Sequence, residues 1–124
     1  MSVILEVCVD SLDAAVNAMK GGADRIEICS SLEKGGLSPG MDLIMDIAAQ
    51  RENLGLEEQV SLYAMVRTDD KGSFMYRDDE KECMVNEIHR YGSCGVLRGV
   101  VFGMLQEAGN LDVQIDMEST KALA

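Results

Sequence analysis

A chain of 124 residues has the length of one ordinary domain. Hydrophobic residues make up 47% of it and charged residues 27%, proportions that argue against a disordered or fibrous protein. The net charge of −11 would repel phosphate backbones, and no basic stripe offsets it, so we expect no nucleic-acid partner.

The apolar runs of the sequence are short. The longest, 96–97 and 99–105, fall far short of the ~18 residues that a membrane span needs, so we expect no membrane partner. The first six residues lack the basic leader of a secretory signal, which predicts a cytoplasmic protein. Because the four cysteines have no CxxC spacing, we expect free thiols in a reducing compartment.

The first half of the chain has a pattern of strands alternating with helices. A β-branched apolar run predicts a strand over Val3–Val9, and apolar residues at helical spacing predict a helix over Leu12–Met19. A second strand is predicted over Arg25–Cys29. The loop Ser30–Gly40 holds three glycines and a proline, and a second helix is predicted over Met41–Glu52.

The second half repeats this order. It predicts a strand over Val60–Arg67, a polar loop over Thr68–Ser73, a helix over Glu80–Tyr91 and a fourth strand over Val96–Leu105. A further helical pattern begins at Asp112 and runs to Leu123. No hairpin signal separates the strands, so the chain is predicted to have an α/β fold of about four strand-then-helix units with parallel strands.

Four such units can form a small open sheet or half of an eight-unit (βα) barrel, and the pattern leaves both possibilities open. A complete barrel has about 250 residues. In either case we expect residues 1–124 to form a single domain. A half-barrel leaves two strand edges unpaired, so we also expect the chain to associate with itself as a homo-oligomer.

Charged side chains alternate with aliphatic ones in the first two predicted strands. If the aliphatic set packs under the helices, the opposite face carries Glu6, Cys8, Arg25, Glu27 and Cys29. Buried carboxylates need partners, so we expect Arg25 to lie buried between the two glutamates. Arg67 would join them at the C-terminal end of the third strand, where barrel enzymes carry their chemistry. A functional site and a purely structural ion-pair network are equally compatible with this pattern.

Two of the cysteines are candidate metal ligands. Cys8 and Cys29 share the polar face of neighbouring strands, and thiolates are soft ligands that suit Cu(I). Each can also be a small buried hydrophobe, so this alternative stays open. We predict no role for Cys83 or Cys94, and we expect His89 to lie on a solvated helix face.

The adjacent glycines Gly35 and Gly36 have two interpretations. Their amides could form a nest that binds an anion. A turn that needs positive φ angles explains the same glycines without a ligand, and we favour the turn.

Three motifs resemble the opening of the CutC copper homeostasis family. They are LEVCVDS at 5–11, GGADRIEIC at 21–29 and EKGGLSP at 33–39, in the family's order and spacing. A looser similarity continues through 66–76, 99–103 and 109–112. The resemblance implies a TIM-type (βα) barrel in a cytoplasmic protein that is linked to copper tolerance and proposed to bind Cu(I), with no established reaction.

The chain departs from the family pattern in two ways. Residues 67–74 lack the proline, the second arginine and one glycine of the family's loop after the third strand. The family's last four βα units have no counterpart in this chain, so we expect a half-barrel.

These observations lead to one leading functional hypothesis and two alternatives. The leading hypothesis is a copper homeostasis protein. Its expected cofactor and binding partner is the Cu(I) ion, with Cys8 and Cys29 as the metal ligands. The first alternative is a barrel lyase, isomerase or hydrolase acting on a small anionic substrate. Its candidate catalytic residues are Glu6 or Glu27 as general base and Arg25 or Arg67 as anion ligand. The second alternative is an inactive truncated isoform.

Overall fold

Four parallel strands alternate with helices in this protein. The computed structural model describes residues 3–68, 74–107 and 113–115, the last two strands by their backbone. The strands of the main sheet run in the order β1-β2-β3-β4 and are parallel throughout, as predicted. The elements that build it are β1 (Glu6–Val9), α1 (Leu12–Lys20), β2 (Arg25–Ile28), a 3₁₀ turn (Leu32–Lys34), α2 (Met41–Asn53), β3 (Ser61–Met65), α3 (Asp78–Ser93) and β4 (Gly99–Val101).

The first helix, α1, closely matches its predicted bounds, since it covers Leu12–Lys20 where Leu12–Met19 was predicted. The Ser11 hydroxyl caps α1 by accepting a hydrogen bond from the Ala14 amide at 3.2 Å. Ala15 and Met19 lie one turn apart on the buried side, and Gly21 ends the helix. A serine cap and a following glycine therefore define the two ends of α1.

The hydrophobic core lies between the sheet and the helices. The central strands β2 and β3 contribute four fully buried side chains: Ile26, Ile28, Leu62 and Ala64. Ile44 and Ile47 of α2 belong to the same core, and both are fully buried. Because side chains alternate along a strand, the polar residues lie on the sheet face away from the helices. The predicted assignment of faces is confirmed.

The third helix is tied to the loop between β2 and α2. The Tyr91 hydroxyl of α3 donates to the Pro39 carbonyl at 2.7 Å, and this contact is buried. Met84, two turns earlier in α3, is also fully buried. The helix therefore contributes both apolar packing and a specific polar contact to the core.

The last described elements differ from the prediction. Instead of one strand over Val96–Leu105, β4 covers Gly99–Val101 and β5 covers Leu105–Glu107. β5 pairs antiparallel with β6 (Val113–Ile115) in a separate two-stranded sheet. The predicted helix Asp112–Leu123 is wrong over 113–115, and its other residues lie outside the described part. Apolar residues alternating with glutamine after a Gly-Asn pair are typical of a hairpin strand, and the helical pattern obscured that signal.

Three further expectations concern the loop after β3, membrane-spanning helices and self-association. Within the predicted loop Thr68–Ser73, the structure describes only Thr68, so the prediction for 69–73 lies outside the described residues. None of the helices within 3–68 and 74–107 is long and apolar enough to cross a membrane. The strands β1 and β4 are the edges of the main sheet, and self-association through them stays a prediction.

Replacing Gly99 by alanine tests the packing of β4 against β3. A Cβ at Gly99 would lie 2.7 Å from Cε2 of the Tyr63 ring, so the ring would have to move. We expect Gly99→Ala to lower the free energy of unfolding by about 1–3 kcal/mol, measured by urea denaturation. The control is Gly92→Ala in α3, where no heavy atom lies within 4 Å of the added Cβ. The control should be neutral or stabilising by up to about 1 kcal/mol. Equal urea midpoints for Gly99→Ala and the parent would contradict the contact.

Candidate functional site

The sheet face away from the helices is called the inner face, and it carries the candidate site. The parallel register places its side chains in rows that run across neighbouring strands. Its residues are Glu6, Cys8, Arg25, Glu27, Cys29, Ser61, Tyr63, Met65 and Arg67.

The row at the N-terminal end of the strands pairs Glu6 with Arg25. Arg25 Nη1 donates to Glu6 Oε2 at 3.3 Å, and the guanidinium carbon lies 4.7 Å from the centre of the Tyr63 ring. The two side chains of the ion pair are 34% and 35% exposed, so water screens their attraction. The expectation that Arg25 lies buried between two glutamates is therefore wrong. Strand alternation identified the correct face but carries no information about depth of burial.

The middle row pairs Cys8 with Glu27, which is only 6% exposed. The Cys8 thiol donates to Glu27 Oε2 at 3.2 Å. Burial raises the pKa of the Glu27 carboxyl, the hydrogen bond from Cys8 opposes that rise, and the Glu6 charge adds to it. Partial burial raises the pKa of Cys8 to about 11, and the Glu27 hydrogen bond and the charges of both carboxylates act in the same direction. At neutral pH the Cys8 sulfur therefore carries its proton.

Cys29 lies just beyond β2 on the same face and is fully buried. Its thiol donates to the Glu27 backbone carbonyl at 3.7 Å. Burial raises the pKa of Cys29 to about 12, helped by the charges of Glu27, Cys8, Asp10 and Glu6. The structure thus brings the two predicted cysteines to the same residue, because Cys8 donates to the Glu27 carboxylate and Cys29 donates to the Glu27 backbone carbonyl.

Arg67 lies apart from this cluster, at the C-terminal end of β3. It is 8% exposed, and its Nη1 donates to the carbonyls of Lys34 at 3.0 Å and Gly36 at 3.1 Å. The guanidinium carbon also lies 5.1 Å from the centre of the Phe74 ring. Arg67 therefore holds the loop after β2 in place. Its buried Nε has no hydrogen-bond partner among the residues that the structure describes, and Arg67 lines a cavity of about 180 Å³ together with mainly apolar side chains.

The two adjacent glycines form a turn. Gly35 has φ 86° and Gly36 has φ 94°, angles that a residue with a Cβ rarely adopts. The Gly35 amide donates to the Leu32 carbonyl and the Gly36 amide to the Ser31 carbonyl. The favoured turn interpretation is confirmed, and because both amides are engaged they do not form an anion nest.

The residues that were assigned no role lie away from the inner face. Cys83 and His89 are exposed on α3, and Cys94 follows the last turn of that helix. The expectation of a solvated position for His89 is confirmed.

Two inner-face residues of β3, Tyr63 and Met65, were not among the site residues predicted from the sequence. Tyr63 packs against Arg25, and Met65 lies beside the buried glycine Gly36. The signal was available, because alternation counted back from Arg67 places Met65 and Tyr63 on the same face.

The chain is similar to known proteins along nearly its whole length. The model of the CutC family matches residues 3–124. The chain belongs to the CutC family. A family protein CutC of Aliivibrio fischeri is 38% identical over 98% of this chain, and a copper homeostasis protein cutC homolog of Homo sapiens is 40% identical over 92%. The aligned regions are 45% and 38% of those two relatives, so the chain spans less than half their length.

A solved CutC structure has the same fold. The putative copper homeostasis protein CutC from Streptococcus agalactiae superimposes with a TM-score of 0.74 at 26% sequence identity. The match covers 98% of this chain and 53% of that chain. The four parallel strands and the helices that alternate with them therefore form an α/β half-barrel-like sheet, and the CutC neighbour has a TIM-barrel-type fold.

Replacing Arg25 by alanine tests whether the ion pair between Arg25 and Glu6 is partly exposed to solvent. Because the ion pair is about one-third exposed, we expect Arg25→Ala to lower the free energy of unfolding by only about 1 kcal/mol, the sum of a screened ion pair and a cation–π contact. Urea denaturation measures this loss, with Glu6→Gln as the matched variant that keeps the cation–π contact. A loss of about 3 kcal/mol or more would mean that the charges are buried and paired.

Thiol alkylation tests the electrostatic control of Cys8 by Glu27. A neighbouring carboxylate disfavours the thiolate, so Glu27→Gln should lower the pKa of Cys8 and increase its thiolate fraction at pH 8. We expect iodoacetamide to label Cys8 several-fold faster in this variant, as resolved by peptide mass spectrometry. Cys83, exposed on α3, is the internal control whose rate should not change. An unchanged Cys8 rate would remove Glu27 as a cause of the raised pKa.

Proposed function

We propose that this chain takes part in copper homeostasis by binding Cu(I) through Cys8 and Cys29. The observation that carries the proposal is the position of the two thiols, on neighbouring strands and hydrogen-bonded to the side chain and the backbone of Glu27. The human relative and the streptococcal structure, both named as copper homeostasis proteins, support the same general role.

The ligand chemistry supports a soft monovalent ion. Within residues 3–68, 74–107 and 113–115, no three histidine, cysteine, aspartate or glutamate side chains come together as a metal site. Zn²⁺ in a structural site almost always takes four such ligands. Cu(I) prefers thiolate and thioether sulfur and accepts a low coordination number, so two cysteines suit it better than they suit zinc.

Binding has to displace the thiol protons. Thiolates are the metal-binding form, and the raised pKa values of Cys8 and Cys29 keep both sulfurs protonated until the ion arrives. Glu27 Oε2 lies 3.2 Å from the Cys8 sulfur, close enough to accept that proton as the copper–sulfur bond forms. Glu27 thus acts as a local proton acceptor in the proposed site.

The inner face supports the enzyme alternative less well. Arg25 is engaged by Glu6 and the Tyr63 ring, and Arg67 Nη1 is engaged by two loop carbonyls. Both candidate anion ligands thus have structural partners. We therefore propose ion binding without a chemical reaction, in the cytoplasm, where free thiols such as these persist.

Competition for Cu(I) tests the two-cysteine site. We expect the parent chain to withdraw one Cu(I) per chain from a colorimetric Cu(I) chelator under anaerobic conditions. Cys8→Ser/Cys29→Ser should withdraw none at the same chelator concentration, because serine hydroxyls are hard ligands. The matched control is Cys83→Ser/Cys94→Ser, which removes the same number of thiols away from the inner face and should behave as the parent.

Circular dichroism and urea denaturation of each variant separate loss of ligands from loss of fold, since Cys29 is fully buried. Equal copper retention by a folded Cys8→Ser/Cys29→Ser variant would show that these ligands are wrong.

A further inference from the structure

The inner face holds a third sulfur beside the proposed copper ligands. The β2–β3 ladder pairs Ile28 with Ala64, so the next residues along each strand, Cys29 and Met65, stand side by side. Both belong to the inner face, because Met65 alternates with the core residues Ala64 and Val66. Met65 is the cross-strand neighbour of Cys29 on the side opposite to β1 and Cys8.

Gly36 shows how closely the two side chains approach. The point where a Cβ would stand on Gly36 lies 3.0 Å from Met65 Sδ and 3.7 Å from Cys29 Cβ. The thioether sulfur and the cysteine therefore pack against the same side of one buried glycine. A residue with a side chain at this position would push the methionine sulfur away.

The charges around the two cysteines favour a neutral third ligand. Two thiolates give a bound Cu(I) ion one net negative charge, and Glu27 and Glu6 add carboxylates on the same face. Another anionic ligand would increase the repulsion within this cluster. A thioether is soft, carries no charge and has no proton to lose, so it adds a copper–sulfur bond at no electrostatic cost.

We propose that Met65 is the third ligand of the Cu(I) ion, which is then coordinated by the sulfurs of Cys8, Cys29 and Met65. This inference rests on the proposed function and specifies its coordination. In forming the site, each cysteine releases one proton, each thiolate sulfur donates an electron pair to the ion, and the Met65 sulfur donates a third pair. The oxidation state of copper does not change.

Selenomethionine labelling gives a direct test. The chain has nine methionines, and X-ray absorption at the copper edge detects a copper–selenium distance only for one that is bound to the ion. We expect the labelled, Cu(I)-loaded parent to show one copper–selenium contact together with copper–sulfur contacts. Labelled Met65→Leu should keep the sulfur contacts and lose the selenium contact. Labelled Met45→Leu, which removes a half-exposed methionine of α2, should retain it.

Affinity provides a second readout. Leucine resembles methionine in size and keeps the packing against Gly36, so the loss should concern the ion and leave the fold intact. We expect Met65→Leu to bind Cu(I) about tenfold more weakly in chelator competition, the scale on which single supporting groups act at metal sites. Met45→Leu should bind as the parent does.

The possible outcomes separate this inference from the function on which it rests. Copper bound with sulfur contacts alone in the labelled parent would overturn the role of Met65 and leave the two-cysteine site in place. A selenium contact that persists in Met65→Leu would assign the third ligand to another methionine and would also overturn the inference. Failure of the parent to compete for Cu(I) at all would overturn the proposed function and the inference together.

Discussion

The burial of Glu27 constrains the whole inner face. A carboxyl group that is only 6% exposed needs hydrogen-bond donors, and the Cys8 thiol is the donor that the strand register provides. The backbone carbonyl of the same residue accepts from Cys29. One glutamate thus contacts both cysteines through two different atoms. Burial raises the pKa of both thiols, and the negative charge of Glu27 raises it further.

The general architecture could be predicted because it depends on local periodicity. Apolar spacing identified three helices, and alternation along β1 and β2 separated the core face from the polar face. The hairpin strand β6 was missed because three residues of alternating pattern are too short to outweigh a longer helical match. Arg25 was assigned to the correct face but to the wrong depth, since exposure depends on what covers the sheet and periodicity does not record that.

Contacts between distant parts of the chain were beyond sequence reasoning. Arg67 was expected among the inner-face charges, yet its guanidinium turns to two loop carbonyls more than thirty residues earlier in the chain. Ser38 reinforces the same junction, because its amide donates to the Arg67 carbonyl and its hydroxyl accepts from the Arg67 amide. These contacts follow from the path of the loop after β2, which has few periodic features. Alternation alone could have assigned Met65 to the inner face, but its position beside Cys29 becomes evident only once the register of β3 is known.

The buried contact between Tyr91 and Pro39 has a consequence for how the protein folds. The two residues are 52 positions apart, so the loop that carries Gly36 is fastened at one end by a contact of long sequence separation. Closing so long a segment costs chain entropy, which delays such contacts relative to local helices and neighbouring strands. The Tyr91–Pro39 contact, which fixes one end of the loop that carries the glycine turn, can form only when α3 has docked. The group formed by Cys8, Cys29 and Met65 is therefore completed late, by an element that contributes none of its three sulfurs.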